Sequence, residues 1–127
     1  MGGQTPLETV EMLTAAINKG DVEGALSMYE PTGVLVPEPG SVASGTEAIR
    51  RSLQGFISLN PNLTVHSCEV IDSGDIVLYC SNWTLKGTAP DGSPVEMGGT
   101  SSDVLRRQSD GSWLIAIDNP WGGAILG

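Results

Sequence analysis

Apolar residues recur at helical spacing early in the chain and alternate, or run together, in its second half. Leu7, Val10, Leu13 and Ile17 lie three or four apart, which puts them on one face of a helix. Thr5-Pro6-Leu7-Glu8 reads as its capping box with proline in the first turn, and Lys19-Gly20 as its stop. Asp21 can cap a second, short helix carrying Ala25, Leu26 and Tyr29, which Pro31 ends. Gly33-Val34-Leu35-Val36 is a short apolar strand, closed by Pro37-Glu38-Pro39-Gly40. A third helix starts near Ser44 or Thr46, where Ser44 and Glu47 have capping-box spacing; Ile49, Leu53, Phe56 and Ile57 form its apolar stripe.

From Asn60 the period changes to that of strands. Leu63–Ile71 and Ile76–Gly87 flank Asp72-Ser73-Gly74-Asp75, Val95–Gln108 follows Asp91-Gly92, and Trp113–Asn119 follows Asp110-Gly111. Strands joined by such turns predict an antiparallel meander. Helices that precede a run of strands predict an α+β fold, with three helices covering one face of a curved, mostly antiparallel sheet. No repeat or linker interrupts the pattern, so residues 1–127 are expected to be one domain.

Turn arithmetic assigns faces. A first hairpin centred on Ser73-Gly74 pairs His66 with Ser81, Cys68 with Tyr79 and Thr64 with Trp83 on one side of the sheet. Val65, Ser67, Glu69, Leu78, Cys80 and Asn82 fall on the other. Cys68 and Cys80 then diverge and form no bridge. One histidine and two divergent thiols do not make a metal site, and no metal is expected. The side bearing His66, Tyr79 and Trp83 is the aromatic one and is expected to turn inward. For Tyr79 and His66 the competing expectation is ordinary packing, whereas the Trp83 indole suits a pocket wall and needs a partner for its N–H.

Trp113-Leu114-Ile115-Ala116-Ile117 is apolar throughout, which predicts a central strand, and Asp118-Asn119-Pro120-Trp121 follows it directly. A carboxyl group at the end of such a run is held away from water. Burial raises its pKa toward the range an acid/base group needs. The alternative is a carboxylate that accepts the hydrogen bonds ending the strand. A two-residue Asp110-Gly111 turn would set Asp118 opposite Asp103, and a bulge at Gly111 would set it beside Ser102 or Val104; both registers are open.

Composition narrows the partners. Fifteen acidic residues against six basic give a formal charge of −9, with only Arg50-Arg51 and Arg106-Arg107 as basic pairs, so nucleic acid is not an expected partner. Without an apolar run long enough to span a bilayer, no membrane association is expected. The first six residues lack the charged and apolar regions of an export signal, and only two cysteines are present, so a reducing cytoplasm is the expected location. No nucleotide-binding glycine pattern occurs, and no cofactor is expected.

The segments Thr5–Lys19, Gly20-Asp21-Val22-Glu23-Gly24-Ala25-Leu26, Gly33-Val34-Leu35-Val36, Gly45-Thr46-Glu47-Ala48-Ile49-Arg50 and Asp110-Gly111-Ser112-Trp113-Leu114-Ile115 resemble, in order and spacing, the nuclear transport factor 2-like superfamily. The chain looks most like its small bacterial SnoaL-like and ketosteroid-isomerase-like members. The resemblance implies a cone of three helices wrapped by a bent sheet, a ligand cavity between them, and a homodimer formed through the sheet's outer face. Members include isomerases, cyclases, hydrolases and dehydratases as well as non-catalytic modules, so fold alone does not give the reaction. Steroid isomerases of the family carry a catalytic Asp just after the first strand; here that point is Val36 or Pro37. Polyketide cyclases carry an acid/base Asp on the late sheet, a position matched by Asp118. Epoxide hydrolases use an Asp–Arg–Asp set, which Asp103, Arg106 and Asp118 imitate in composition.

The expected function is a cofactor-independent acid/base enzyme for a small, largely apolar carbonyl or polyketide-like compound. Asp118 would move the proton, Asn119 and Tyr29 would donate to a developing oxyanion, and His66 is a secondary candidate. Trp83, Trp121, Tyr79 and Phe56 would wall the ligand. The competing expectation is a non-catalytic ligand-binding or dimeric scaffold domain.

Overall fold

The computed structural model describes residues 2–127. Its elements in chain order are α1 (Pro6–Lys19), α2 (Val22–Leu26), β1 (Tyr29–Glu38), β2 (Ser41–Ser44), α3 (Thr46–Ile57), β3 (Asn62–Ser73), β4 (Ile76–Thr88), β5 (Pro94–Arg107) and β6 (Trp113–Asp118), followed by a 3-10 turn over Gly122–Leu126. Three helices pack on one side of a curved, open, six-stranded sheet in the order β2-β1-β6-β5-β4-β3. Strands β3 to β6 form the expected meander, and β1 joins β6 in parallel, which makes the sheet mixed. None of the helices among the described residues is long and apolar enough to cross a membrane.

Local signals explain α1. The Glu8 backbone N–H donates to Thr5 Oγ1 at 3.1 Å, Pro6 opens the first turn, and Gly20 closes the helix with φ +78°, a conformation that suits a residue without Cβ. Its buried stripe of Val10, Leu13, Ala16 and Ile17 packs with Ile49 and Leu53 of α3 over Leu35, Val77, Tyr79, Leu105 and Ile115 of the sheet. Thr9, fully buried on α1, locks the N-terminal segment to β6. Its hydroxyl donates to the Trp113 carbonyl at 2.8 Å and accepts the Gly3 N–H at 2.9 Å. Thr9→Val keeps the volume but leaves both backbone groups unsatisfied, so urea denaturation should show a loss of about 1–3 kcal/mol.

Several local expectations are corrected. Helix α2 stops at Leu26, and Tyr29 begins β1 instead of ending a helix. Pro31 does not end a helix; it lies in β1 where the pairing with β6 is irregular, the sort of place in a sheet that accepts proline. The cap of α3 is Gly45, with no side-chain hydrogen bond, so Ser44 and Glu47 form no capping box; Ser44 belongs to β2. The first hairpin turns on Gly74-Asp75, pairing Ser73 with Ile76, Val70 with Tyr79 and Cys68 with Ser81. This register differs by two residues from the expected one. A shift of two preserves the faces, so Tyr79 and Trp83 point inward and Cys68 and Cys80 diverge as free thiols.

The residues at and before residue 66 are the exceptions: Thr64 pairs with Thr84 and Val65 with Trp83, so these two exchange the faces expected of them. A bulge between Val65 and Ser67 inserts His66 into the ladder, and its Nε2 lies 2.9 Å from Thr84 Oγ1 on the outer face. The expectation that His66 faces inward fails because one extra residue reverses the alternation; Val65 takes the inward position instead.

Candidate active site

The second register question resolves into a pair of acids. The turn before β6 spans three residues, with Gly111 at φ +87°, and sets Arg107 opposite Trp113 and Leu105 opposite Ile115. An irregularity between Val104 and Leu105 then sets Val104 opposite Ile117. The longer turn and this slip offset one another, and Asp103 comes to lie beside Asp118. Both are less than a tenth exposed, at 8% and 9%.

Tyr29 completes the group. As the first residue of β1 it lies on the strand next to β6, and its hydroxyl donates to Asp118 Oδ2 at 2.5 Å. Asp103 Oδ1 accepts the Asn119 backbone N–H at 2.7 Å, and its carboxyl group is a hydrogen-bonding neighbour of Asp118 and of Ser101. Ser101 Oγ lies 2.7 Å from Ser81 Oγ on β4. Thus the inward faces of β1, β6, β5 and β4 carry a polar row through an otherwise apolar core.

Burial dominates the electrostatics. It raises the Asp118 carboxyl pKa, while hydrogen bonds from Tyr29 and Asp103 oppose the rise. Burial and then the neighbouring Asp118 charge raise Asp103 well above the ordinary carboxyl range. Tyr29 is pushed up by burial and then by the same charge. Two carboxyl groups in contact do not both ionise at neutral pH, so the pair titrates as a unit. Asp103 is raised further by its neighbour's charge, while the donors on Tyr29 and Asp103 favour the charged form of Asp118, so the shared proton is favoured on Asp103.

The row ends one side of a cavity of about 100 Å³ between helices and sheet. Leu13 and Ile17 of α1 and Leu53 and Phe56 of α3 face Tyr79, Trp83 and Leu85 of β4 across it. That volume takes several waters or one compact organic molecule.

The structure brings Tyr29, Asp118, Tyr79, Trp83 and Phe56 to this cavity. Trp121 stands behind Trp83, with ring centroids 5.3 Å apart and planes at 69°, and its N–H donates to the Val36 carbonyl at 3.1 Å. The Trp83 N–H donates to the Pro120 carbonyl at 2.7 Å, so the two indoles fasten the C-terminal segment across the cavity's end. The Asn119 side chain donates to the Gly122 carbonyl and accepts the Trp121 backbone N–H; it serves the terminal turn and does not line the cavity. His66 does not line this cavity; its ring meets Thr84 on the outer face, and the residue borders a groove between α1 and β3 at the sheet's edge. Arg106 pairs with Glu30 and also lies outside the cavity lining, so the Asp–Arg–Asp imitation is not assembled. Asp103, which the sequence offers only as a possible partner of Asp118, is a member of the site, and Ser101 and Ser81 are members it does not point to. Their signal is alternation: Ser81 lies between Tyr79 and Trp83, and Ser101 and Asp103 share a face with buried Leu105. Among the described residues no three His, Cys, Asp or Glu side chains converge in a way that would hold a metal ion.

The fold recurs among solved structures. A protein from Streptomyces avermitilis, described as a proposed dehydratase of the nuclear transport factor 2-like family, is 20% identical with a TM-score of 0.73, over 86% of this chain and 87% of that one. A Shewanella frigidimarina protein described as a proposed ketosteroid isomerase is 20% identical with a TM-score of 0.74, over 86% and 88%. A Catenulispora acidiphila protein, solved in complex with S-DNPA, is 25% identical with a TM-score of 0.71, over 86% and 84%. No functionally curated protein matches the chain. Residues 10–115 match the SnoaL-like domain, and with that match covering most of its length the chain belongs to the SnoaL-like family, on the nuclear transport factor 2-like fold.

Proposed function

We propose that the protein is a cofactor-independent acid/base enzyme for a small, largely apolar carbonyl compound, in an isomerisation, cyclisation or hydrolysis type of reaction. The observation that carries this reading is the Tyr29–Asp118–Asp103 group at the end of an apolar cavity. An ionised carboxylate in a water-poor site is a stronger base than one in solvent. When Asp118 takes a proton from the carbon beside a carbonyl, it no longer needs the Tyr29 hydrogen bond. The phenol is then free to donate to the enolate oxygen as charge builds there. The dehydratase and isomerase descriptions of structurally similar proteins, and the complex of the Catenulispora acidiphila protein with S-DNPA, support this reading.

The test needs no knowledge of the natural substrate. Small cyclic and linear ketones incubated with the protein in D2O should exchange their α-protons faster than in buffer, as read by proton NMR. Saturable ketone binding with exchange only at the buffer rate would instead favour a non-catalytic carrier.

We further propose a homodimer through the outer face of the sheet. Ile71, Leu78, Val104 and Ile117 pair directly across β3, β4, β5 and β6 on that face, and Ile71 is 61% exposed. An apolar row across four strands is what a second sheet would cover. Leu78→Glu, which would set like charges in the middle of such an interface, should halve the mass measured by light scattering.

A further inference from the structure

The cavity beside the acid pair does not end at its apolar walls. Val10, Thr14, Leu63, Val65 and Tyr79 line both it and a wider groove of about 600 Å³ between α1 and β3, at the sheet's free edge. Two features of the chain open this groove. Asn18 ties α1 to β3 at one end only, donating to the Leu63 carbonyl at 3.0 Å and accepting the Leu63 N–H at 2.7 Å. Beyond that clamp the bulge turns both His66 and Ser67 outward, since His66 meets Thr84 and Ser67 meets Asn82 on the outer face. The inward row of β3 therefore steps by three residues, from Val65 to Cys68, where an unbroken strand would step by two, and His66 and Ser67 between them border the groove.

We infer that this groove is a second chamber of the site, holding the tail of an elongated, uncharged ligand whose carbonyl end reaches Asp118. The inference rests on the acid/base reading and gives it a substrate shape. The inner cavity takes only a compact group, so a longer molecule must leave it at the groove, past Thr14 and Val65. The charge pattern sets the tail's chemistry. Among the described residues no Lys or Arg lines either chamber; their carboxyl groups are Glu11 and the acid pair, and the groove's other polar lining is Thr14, Asn18, Thr64, His66 and Ser67, so a tail ending in carboxylate or phosphate meets like charge and finds no lysine or arginine to pair with. A saturated or aryl chain instead gains apolar contact from Leu7, Val10 and Leu63.

The two cysteines supply an internal control. Cys68 is exposed and lines the groove, while Cys80 is half-buried on the opposite face. Methyl ketones from 2-pentanone to 2-dodecanone should bind with affinity rising about two- to fourfold per methylene past the length the inner cavity holds. Binding is read by calorimetry. The long members should slow alkylation of Cys68 by iodoacetamide at least fivefold without affecting Cys80. Ala15→Phe, which fills the groove from the exposed side of α1, should abolish the gain with chain length. Equal affinity for all lengths, with Cys68 alkylated at its free rate, would overturn the chamber and leave the acid/base reading standing. Protection of Cys68 by a long 1-alkanol, with no ketone bound preferentially and no α-proton exchange, would support the chamber and remove the carbonyl chemistry.

Discussion

Asp118→Asn should lower the rate of α-proton exchange by about 10²–10⁴-fold, the usual worth of a positioned base, while changing ketone affinity by no more than a few-fold. The amide has nearly the shape of the carboxylate, and its oxygen can still accept from Tyr29 at the place where Oδ2 now lies 2.5 Å from the phenol. What disappears is the ability to take up a proton. The expected result is thus a fall in kcat with little change in KM, which marks an interaction made in the transition state and not in the ground state. Tyr29→Phe separates the two contributions. It removes the donor that lowers the Asp118 pKa and the proposed donor to the enolate, so the rate should fall less steeply and the rising limb of its pH profile should move to higher pH. A merely structural role for Tyr29 would leave that limb in place. An Asp118→Asn protein that exchanges ketone protons at the native rate would end the acid/base proposal.

How far this site was readable depended on whether each signal was local. The stripe of α1 and its cap are written within a few residues of one another: Val10, Leu13 and Ile17 are buried and Thr5 caps the helix, while Leu7, in the first turn, is exposed and Glu8 accepts from the Gln4 N–H instead of closing the box on Thr5. The inward facing of Tyr79 and Trp83 also survived a hairpin register that was off by two, because side-chain alternation has period two. Single-residue insertions are what the sequence conceals. His66 lies in a bulge that no turn residue announces, and one inserted position carried it from the cavity side to the outer face. Asp103 met Asp118 only because a three-residue turn and a later slip cancelled, and neither is legible without the partner strand. Tyr29 was read as helical because Pro31 looks like punctuation, yet proline also fits an irregular stretch of strand such as that between Tyr29 and Val34. Its approach to Asp118 depends on parallel pairing between the first strand and the last, the kind of non-local contact that leaves least trace in a local pattern.

Asp103→Asn should make the protein more stable at neutral and alkaline pH and flatten its dependence of stability on pH. In the unfolded chain both carboxyl groups titrate near the ordinary value of about 3.9. In the fold, burial raises both, and the Asp118 charge raises Asp103 further. Between the ordinary value and the raised ones the folded state therefore binds more protons than the unfolded state, and stability falls as pH rises. The contribution is fully present below about pH 4 and is lost as pH climbs through the raised values. Asp91 and Asp110 work in the opposite sense: serine hydroxyl and backbone donors hold their pKa values below the ordinary range, so they lose stability only on the acid side. The amide at position 103 needs no added proton to donate to Asp118, and its oxygen still accepts the Asn119 N–H. Each unit of raised pKa removed is worth about 1.4 kcal/mol, and each kcal/mol should appear as roughly 3–6 °C in Tm for a chain of this size. Calorimetric scans from pH 4 to 9 should then show the two proteins close together in acid and diverging as pH increases, with the variant higher. Parallel Tm curves would mean that Asp103 is already ionised in the folded protein, and Asp118 would then lack the O–H donor that keeps it charged in so dry a site.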